Sequence, residues 1–292
     1  MNIIETTVLT EAQKQEILTL QSICNSFEGL HTETLLTNKF NLDKQLPCFF
    51  LGYDDECATA GGQGLVAFLY NFFADPSSLE IIAFTAPDSR RRGWFSRLYQ
   101  AALPHMKSSS AYKALFQIEP ISESGMGTLR HKFPDAILSH SEYQLSCTAS
   151  PPEEVGSLEL VEVTQQNKEI AIHLAIETFQ SVEAAERSHI EAILGEDGND
   201  AFIAYDGEVP VGVCNRVLEK DTAGLFGLGI RPSLQKMGYG KKLLASMLRK
   251  TLSERPRTTL EVDSNNPPAL NLYLHNGFSI GFQMDYHAVP IA

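Results

Sequence analysis

The sequence predicts an α/β protein of layered α+β design, made of two tandem domains, each a mixed and largely antiparallel sheet flanked by helices. Three observations carry that expectation. The chain repeats itself in collinear order, apolar strands joined by tight turns mix with helical periodicity, and 292 residues with 43% apolar content suffice for two cores of about 140 residues each.

The repeat sets the domain count. Phe50-Leu51-Gly52-Tyr53-Asp54 is echoed by Phe202-Ile203-Ala204-Tyr205-Asp206, 152 residues later. Pro87 stands six residues before Gly93 and eleven before Leu98, and Pro232 stands six before Gly238 and eleven before Leu243, now 145 apart. His131-Lys132-Phe133, followed by Glu142-Tyr143, is set against His275-Asn276-Gly277-Phe278, followed by Asp285-Tyr286. Three matches in one order predict two copies of one domain, residues 1–149 and 157–292. Proline and charge at Ser150-Pro151-Pro152-Glu153-Glu154 mark the expected linker.

In the second copy, Leu158 to Val163 reads as a strand and Lys168 to Phe179 as a helix. Ala201 to Tyr205 and Val209 to Val217 flank the turn Asp206-Gly207-Glu208 and form a hairpin. Gly224 to Ile230 is a strand carrying Gly224, Gly227 and Gly229, and glycine inside a strand marks a bulge or the close approach of another backbone or ligand. After Pro232, Tyr239 to Leu252 puts Leu243, Leu244, Met247 and Leu248 on one helical face. Thr258 to Val262 is a β-branched strand, Pro268 to His275 a short helix, and Gly277 to Ala288 is expected to supply the last two strands.

Composition excludes several classes of partner. The 23 Lys and Arg against 36 Asp and Glu leave a formal charge of -13, which disfavours nucleic acid or an anionic membrane and makes a cationic acceptor less surprising. Cys24, Cys48, Cys57, Cys147 and Cys214 are odd in number and hold no close pair, so neither a disulfide framework nor a metal site is expected. The N-terminus lacks a basic region followed by an apolar run, and no stretch reaches the ~18 apolar residues of a membrane span; a cytoplasmic protein is expected.

The informative stretch is Gln235-Lys236-Met237-Gly238-Tyr239-Gly240-Lys241, between the glycine-bearing strand and a long helix. The first N–H groups of a helix have no internal partner and face a positive dipole end, so phosphate binds there readily. Glycines let the backbone approach, and Lys236, Lys241 and Lys242 add positive charge. A nucleoside-triphosphate loop fails, because Gln235 and Lys242 stand where glycine and Ser or Thr are needed. A dinucleotide fingerprint fails at Leu243.

The stretch resembles the GNAT superfamily of acyl-coenzyme A N-acetyltransferases, whose motif of Gln or Arg, two residues, Gly, one residue, Gly or Ala is met by Gln235, Gly238 and Gly240. A second family block is matched by Asn266, Ala269, Tyr273 and Gly277-Phe278. The resemblance covers residues 157–292 well and residues 1–148 weakly, and suggests a tandem GNAT arrangement whose first copy is degenerate. It implies acetyl-CoA as acyl donor, no metal, and an N-acetyltransferase acting on a small amine, a cationic one being compatible with the acidic composition, by direct attack, as a monomer or homodimer. Leu228, Gly229 and Ile230 would meet the pantetheine arm, and the Leu228 N–H would polarise the thioester carbonyl as a catalytic donor. Lys236, Met237, Gly238, Tyr239, Gly240 and Lys241 would hold the pyrophosphate after Gln235, with Asn266 and Ala269 on the other side and Tyr273 beside the sulfur as the catalytic hydroxyl.

Two departures from the family pattern stand out. Gly224 occupies the site where many relatives carry a glutamate base, leaving Glu219, Asp221, Glu261 and Asp263 as candidates on neighbouring strand ends. In the first copy, Arg90-Arg91-Arg92-Gly93-Trp94-Phe95 ends in Phe95, expected to obstruct the pyrophosphate contact, and no equivalent of Asn266 or Tyr273 follows Lys113 to Glu119. A non-catalytic acyl-CoA sensor or protein-binding module is the competing reading.

Overall fold

The computed structural model describes residues 2–54, 64–195 and 198–291. The chain forms two compact units, one of Met1–Ser141 with Gln283–Ala292 and one of Glu142–Phe282. Each is a sheet with helices on both faces.

In the first unit β1 (Asn2–Thr6), β2 (Phe49–Asp54), β3 (Gly64–Asp75) and β4 (Ser78–Thr85) pair antiparallel in sequence order, and β4 pairs parallel with β5 (Lys113–Ile118). The helix α1 (Glu11–Glu28), started by a Thr10 capping box, buries Ile17, Leu20 and Cys24 against Phe49, Leu51, Phe68 and Tyr70 on one sheet face. On the other face α2 (Trp94–Ser108) buries Trp94, Leu98, Ala102 and Met106 against Phe50, Leu69 and Ile81. The short α3 (Glu123–Lys132) follows β5.

The second unit repeats this plan. The strands β7 (Glu159–Glu162), β8 (Asn199–Asp206), β9 (Val209–Leu218) and β10 (Thr222–Ile230) pair antiparallel, and β10 pairs parallel with β11 (Arg257–Asp263). On one face α4 (Lys168–Phe179) and α5 (Glu183–Leu194) bury Ile172, Ala175, Ile190 and Ile193 against Ala201, Ile203 and Val213. On the other, α6 (Tyr239–Glu254) and α7 (Pro267–Leu274) bury Leu243, Leu244, Met247, Leu248 and Tyr273 against Cys214, Leu225 and Leu260.

Each sheet takes its sixth strand from far along the chain. The eleven-residue β6 (Ile137–Cys147) begins in the first unit, and its Glu142–Cys147 stretch pairs antiparallel with β11 from Asp263 to Thr258. The twelve-residue β12 (Ser279–Pro290) begins in the second unit, and its Asp285–Pro290 stretch pairs with β5 from Ile118 to Lys113. The division therefore differs from the expected cut at 149 and 157: the chain crosses within two unbroken strands. Pro151 and Pro152 lie inside the second unit, between β6 and β7, and Gly277 to Ala288 contributes one strand where two were expected.

Cys24, Cys48, Cys147 and Cys214 are free and buried, while Cys57 lies outside the described residues. Among the described residues no group of His, Cys, Asp or Glu is placed to hold a metal ion, and no helix is long and apolar enough to cross a membrane.

Candidate active site

The site of the second unit starts at a break in a strand ladder. Down to Phe226, opposite Asn215, β10 pairs regularly with β9, and pairing resumes at Gly229 opposite Val213. Cys214 alone thus faces two residues, Gly227 and Leu228, and Gly227 takes φ 58°. That is a β-bulge, which kinks the strand and releases a backbone N–H from the ladder. On the other edge, β10 and β11 stay paired only from Thr222 to Leu225, so Phe226–Ile230 and Glu261–Asp263 diverge beyond it. Bulge and splay together open a slot between two neighbouring strands.

The end of this slot leads to the start of α6. A one-turn 3₁₀ segment, Pro232–Leu234, is followed by Gln235, whose side-chain Nε2 donates to the Ile230 carbonyl at 3.1 Å. Lys236 then takes φ 62° and Gly238, the N-cap, φ 87°. No side chain caps α6, whereas Thr10, Ser122 and Asn266 cap α1, α3 and α7. Its first N–H groups are therefore left for solvent or a ligand. Tyr239 is anchored by donating to Asp206 at 2.8 Å, and Lys242 lies over its ring. Met237 is exposed. A Cβ at Gly240 would stand 3.5 Å from Leu272 Cδ2, ordinary contact, so the fold itself does not demand glycine there.

Gly229 has a different reason to be glycine. A Cβ there would collide with the Thr178 methyl and the Phe179 ring, so the close neighbour is the end of α4. The Thr178 Oγ1 and Ser181 Oγ atoms at this helix end are buried without a hydrogen-bond partner among the described residues.

The second predicted block sits on α7. The Asn266 Oδ1 accepts from the Ala269 N–H at 3.2 Å and so caps the helix. Tyr273 is 7% exposed and packs with Phe278, Cys214 and Leu225, beneath the bulge. Burial, with the nearby Cys214 thiol adding, pushes its pKa up to about 12. One apolar cluster beneath the bulge brings Leu228, Ile230, Tyr239, Ala269 and Tyr273 together, and Asn266 starts the helix that carries Tyr273. The candidate bases divide: Glu219 and Asp221 sit in the turn before β10, six residues or more from Gly227, while Glu261 and Asp263 lie on the stretch of β11 that diverges from β10, Asp263 accepting from the Asn265 N–H.

Two residues near the slot escaped sequence reasoning. His189, on α5, lies edge-on to Phe226 with ring centroids 5.8 Å apart, and its Nε2 is 3.3 Å from the Nδ2 of buried Asn215. Burial, against the opposing charge of Glu186, holds the imidazole below its ordinary pKa. α5 buries Ile190 and Ile193, and it is this packing on the sheet, not a motif in the sequence, that brings His189 to Phe226.

In the first unit, the Phe95 ring turns inward. It packs with Tyr99, Phe116 and Phe133 at centroid distances of 6.0, 6.3 and 6.4 Å instead of lying over the loop as expected.

Residues 166–278 match the family described as "Acetyltransferase (GNAT) family". The chain is 34% identical over 95 residues to a [ribosomal protein bS18]-alanine N-acetyltransferase of Haemophilus ducreyi, a match covering 32% of this chain and 63% of that one. Its fold resembles a GCN5-related N-acetyltransferase of Sphaerobacter thermophilus, with TM-score 0.73 and 14% identity over 99% of this chain and 96% of the other. It also resembles a tandem GNAT protein from the clavulanic acid biosynthesis pathway, with TM-score 0.67 and 12% identity over 100% and 98% of the two chains.

Proposed function

We propose that the second unit, whose residues 166–278 match the GNAT acetyltransferase family, transfers an acetyl group from acetyl-CoA to an amine, both substrates being bound together. The observation that carries this reading is the coincidence, in one slot, of a bulged strand and an uncapped helix N-terminus.

The residues present fit such a donor. The bare start of α6 offers backbone N–H groups and a positive dipole end to the pyrophosphate, with Lys236 and Lys241 alongside. The unpaired edges of β10 and β11 can accept an amide-bearing arm as an added strand, through Leu228 and Ile230. The orphaned Thr178 and Ser181 hydroxyls give that arm further polar partners. When bound, acetyl-CoA supplies an activated acetyl thioester.

Protein groups do the rest. The Leu228 N–H at the bulge donates to the carbonyl oxygen as negative charge develops there. The Tyr273 hydroxyl, with its pKa raised to about 12, stays protonated across the working range and hydrogen-bonds the departing thiolate. Full proton transfer from it to a thiolate of pKa about 8.5 is uphill. No metal enters this scheme.

A small cationic amine suits the acidic chain. A second reading, acetylation of the α-amino group of a protein, is favoured by the 34% identity to the alanine N-acetyltransferase, whose length the match spans by 63%.

Release of free thiol from acetyl-CoA, followed against small amines and alanine-ended peptides, decides between these acceptors. Tyr273→Phe should lower kcat by roughly 10²-fold with little change in acetyl-CoA affinity. Acetyl-CoA binding without turnover on either class of amine would make the protein a sensor instead.

A further inference from the structure

We infer that His189 is the acceptor-side base, the imidazole that takes the proton from the attacking amine nitrogen across the bulge from Tyr273. This rests on the acetyl-transfer reading above, and it fills the place left by Gly224, where the strand carries no carboxylate.

The geometry separates two proton-handling groups by one strand. Leu225 and Cys214 pack with Tyr273 on the α6–α7 face, while Phe226 packs with the cluster beneath α4 and α5. His189 contacts Phe226 and Asn215, the cross-strand pair immediately before the bulge. A nucleophile and a leaving group need proton handling at different places, and the opposite faces of one bulged strand supply them.

The orientation of the ring follows from Asn215. Its Nδ2–H donates to His189 Nε2, so the neutral imidazole carries its proton on Nδ1 and turns the Nε2 lone pair toward β9 and β10. At 3.3 Å that hydrogen bond is long, and an incoming amine N–H can replace it at the same lone pair. In the step, the amine nitrogen bonds to the acetyl carbon and gives its proton to Nε2. The C–S bond breaks with its electron pair going to sulfur, which is held by Tyr273 and protonated from solvent. His189 returns its proton to solvent.

The surrounding charges leave the ring neutral. Glu186, one turn earlier on α5, favours the protonated form, but burial outweighs it. Other charges on the packed elements are paired: Arg187 with Glu169 and Glu183, Lys168 with Glu191, and Arg216 with Asp200 and Glu254. A base held below about 6.5 is ready to accept a proton at pH 7, so kcat/KM should rise with pH through a limb below 6.5 and then level.

The experiment compares wild type with His189→Ala. Expected are a fall in kcat of about 10²-fold, an unchanged acetyl-CoA affinity by calorimetry, loss of the acid limb, and partial rescue by added imidazole. Side-chain NMR of the wild-type protein gives a readout that needs no acceptor: the His189 ring signals should titrate below pH 6.5 and shift when acetyl-CoA binds. Full activity in His189→Ala overturns the inference. So does a loss of rate that imidazole leaves untouched. Ring signals that stay still while calorimetry shows acetyl-CoA bound overturn it as well. Absence of acetyl-CoA binding to the wild type would instead bring down the acetyl-transfer reading, and this inference with it.

Discussion

The loops before α2 and α6 follow the same backbone path in the two units. Arg91 and Lys236 take φ 64° and 62°, and Gly93 and Gly238 take φ 83° and 87° as uncapped helix starts. Even the first side chain is equivalent: Arg90 Nε donates to the Thr85 carbonyl five residues back at 3.1 Å, as Gln235 Nε2 does to Ile230. The strands before these loops differ. β4 pairs with β3 without interruption from Glu80 to Thr85, where β10 is bulged between Phe226 and Gly229. A phosphate-type loop is therefore part of the repeated fold, and the bulge is what one copy has and the other lacks. Without it no strand N–H is released toward a carbonyl, whatever the loop does.

The helix starts diverge too. Where the second unit has Gly240 with open space as far as Leu272, the first has Phe95 built into a ring cluster with Tyr99, Phe116 and Phe133. The sharpest break of the comparison is Phe95→Gly. It removes a partly buried aromatic and places glycine in the first turn of α2, and should destabilise the protein by about 2–4 kcal/mol in urea unfolding. Acetyl-CoA stoichiometry should stay at one per chain, because β4 still has no bulge. A second bound molecule would show that the ring, and not the strand, had closed the first site.

Much of this was legible in the sequence, though unevenly. The echoes at 87 and 232 predicted two equivalent loops because proline and glycine fix backbone path locally, and both loops have the predicted form. Three glycines predicted trouble in β10, and one of them, Gly227, lies at the bulge. Gly229 also lies against α4 side chains, a neighbour that no strand pattern shows. The strand exchange was not legible either. The echo of Glu142-Tyr143 in Asp285-Tyr286 marks equivalent strands, but which sheet each joins depends on pairing with β11 and β5, a long-range choice. His189 was missed for the same reason: its role is set by packing of α5 on β10, and not by neighbours in sequence.

Gly240→Val sharpens the comparison from the other side. A Cβ there meets Leu272 only at 3.5 Å, so the variant should fold. Its added carbons narrow the approach to the N–H groups of α6, and acetyl-CoA affinity should fall at least tenfold, about 1.4 kcal/mol, by calorimetry. Unchanged affinity would remove the loop from the site and leave the two units with equally idle helix starts.

The smallest effect concerns the carboxylate that answers Arg90 in the first unit. Glu28, at the end of α1, pairs with the Arg90 guanidinium and accepts from Ser122 Oγ at 3.0 Å and the Ser124 N–H at 3.3 Å, so its own charge sits at the start of α3. Beside it, buried Glu119 accepts from the His31 N–H at 2.5 Å and Thr32 Oγ1 at 2.8 Å, tying the segment after α1 to the end of β5. The charge on Arg90 is thus used internally, whereas Gln235 brings none. Burial pushes the Glu28 pKa up, but the hydrogen bonds from Ser124 and Ser122 and the Arg90 charge outweigh it and hold the carboxyl below its ordinary value. A lowered folded pKa means that the stabilisation is complete above the unfolded value of about 4.5 and is lost as pH falls through the folded one. Glu28→Gln keeps the shape and an acceptor oxygen but loses the charge, and should cost about 1 kcal/mol at pH 7. Urea midpoints of the two proteins should differ at pH 7 and converge only once the pH has fallen below the lowered folded pKa of Glu28. A gap that persists in acid would mean that Glu28 acts through packing alone, and that Arg90 is not held by its charge.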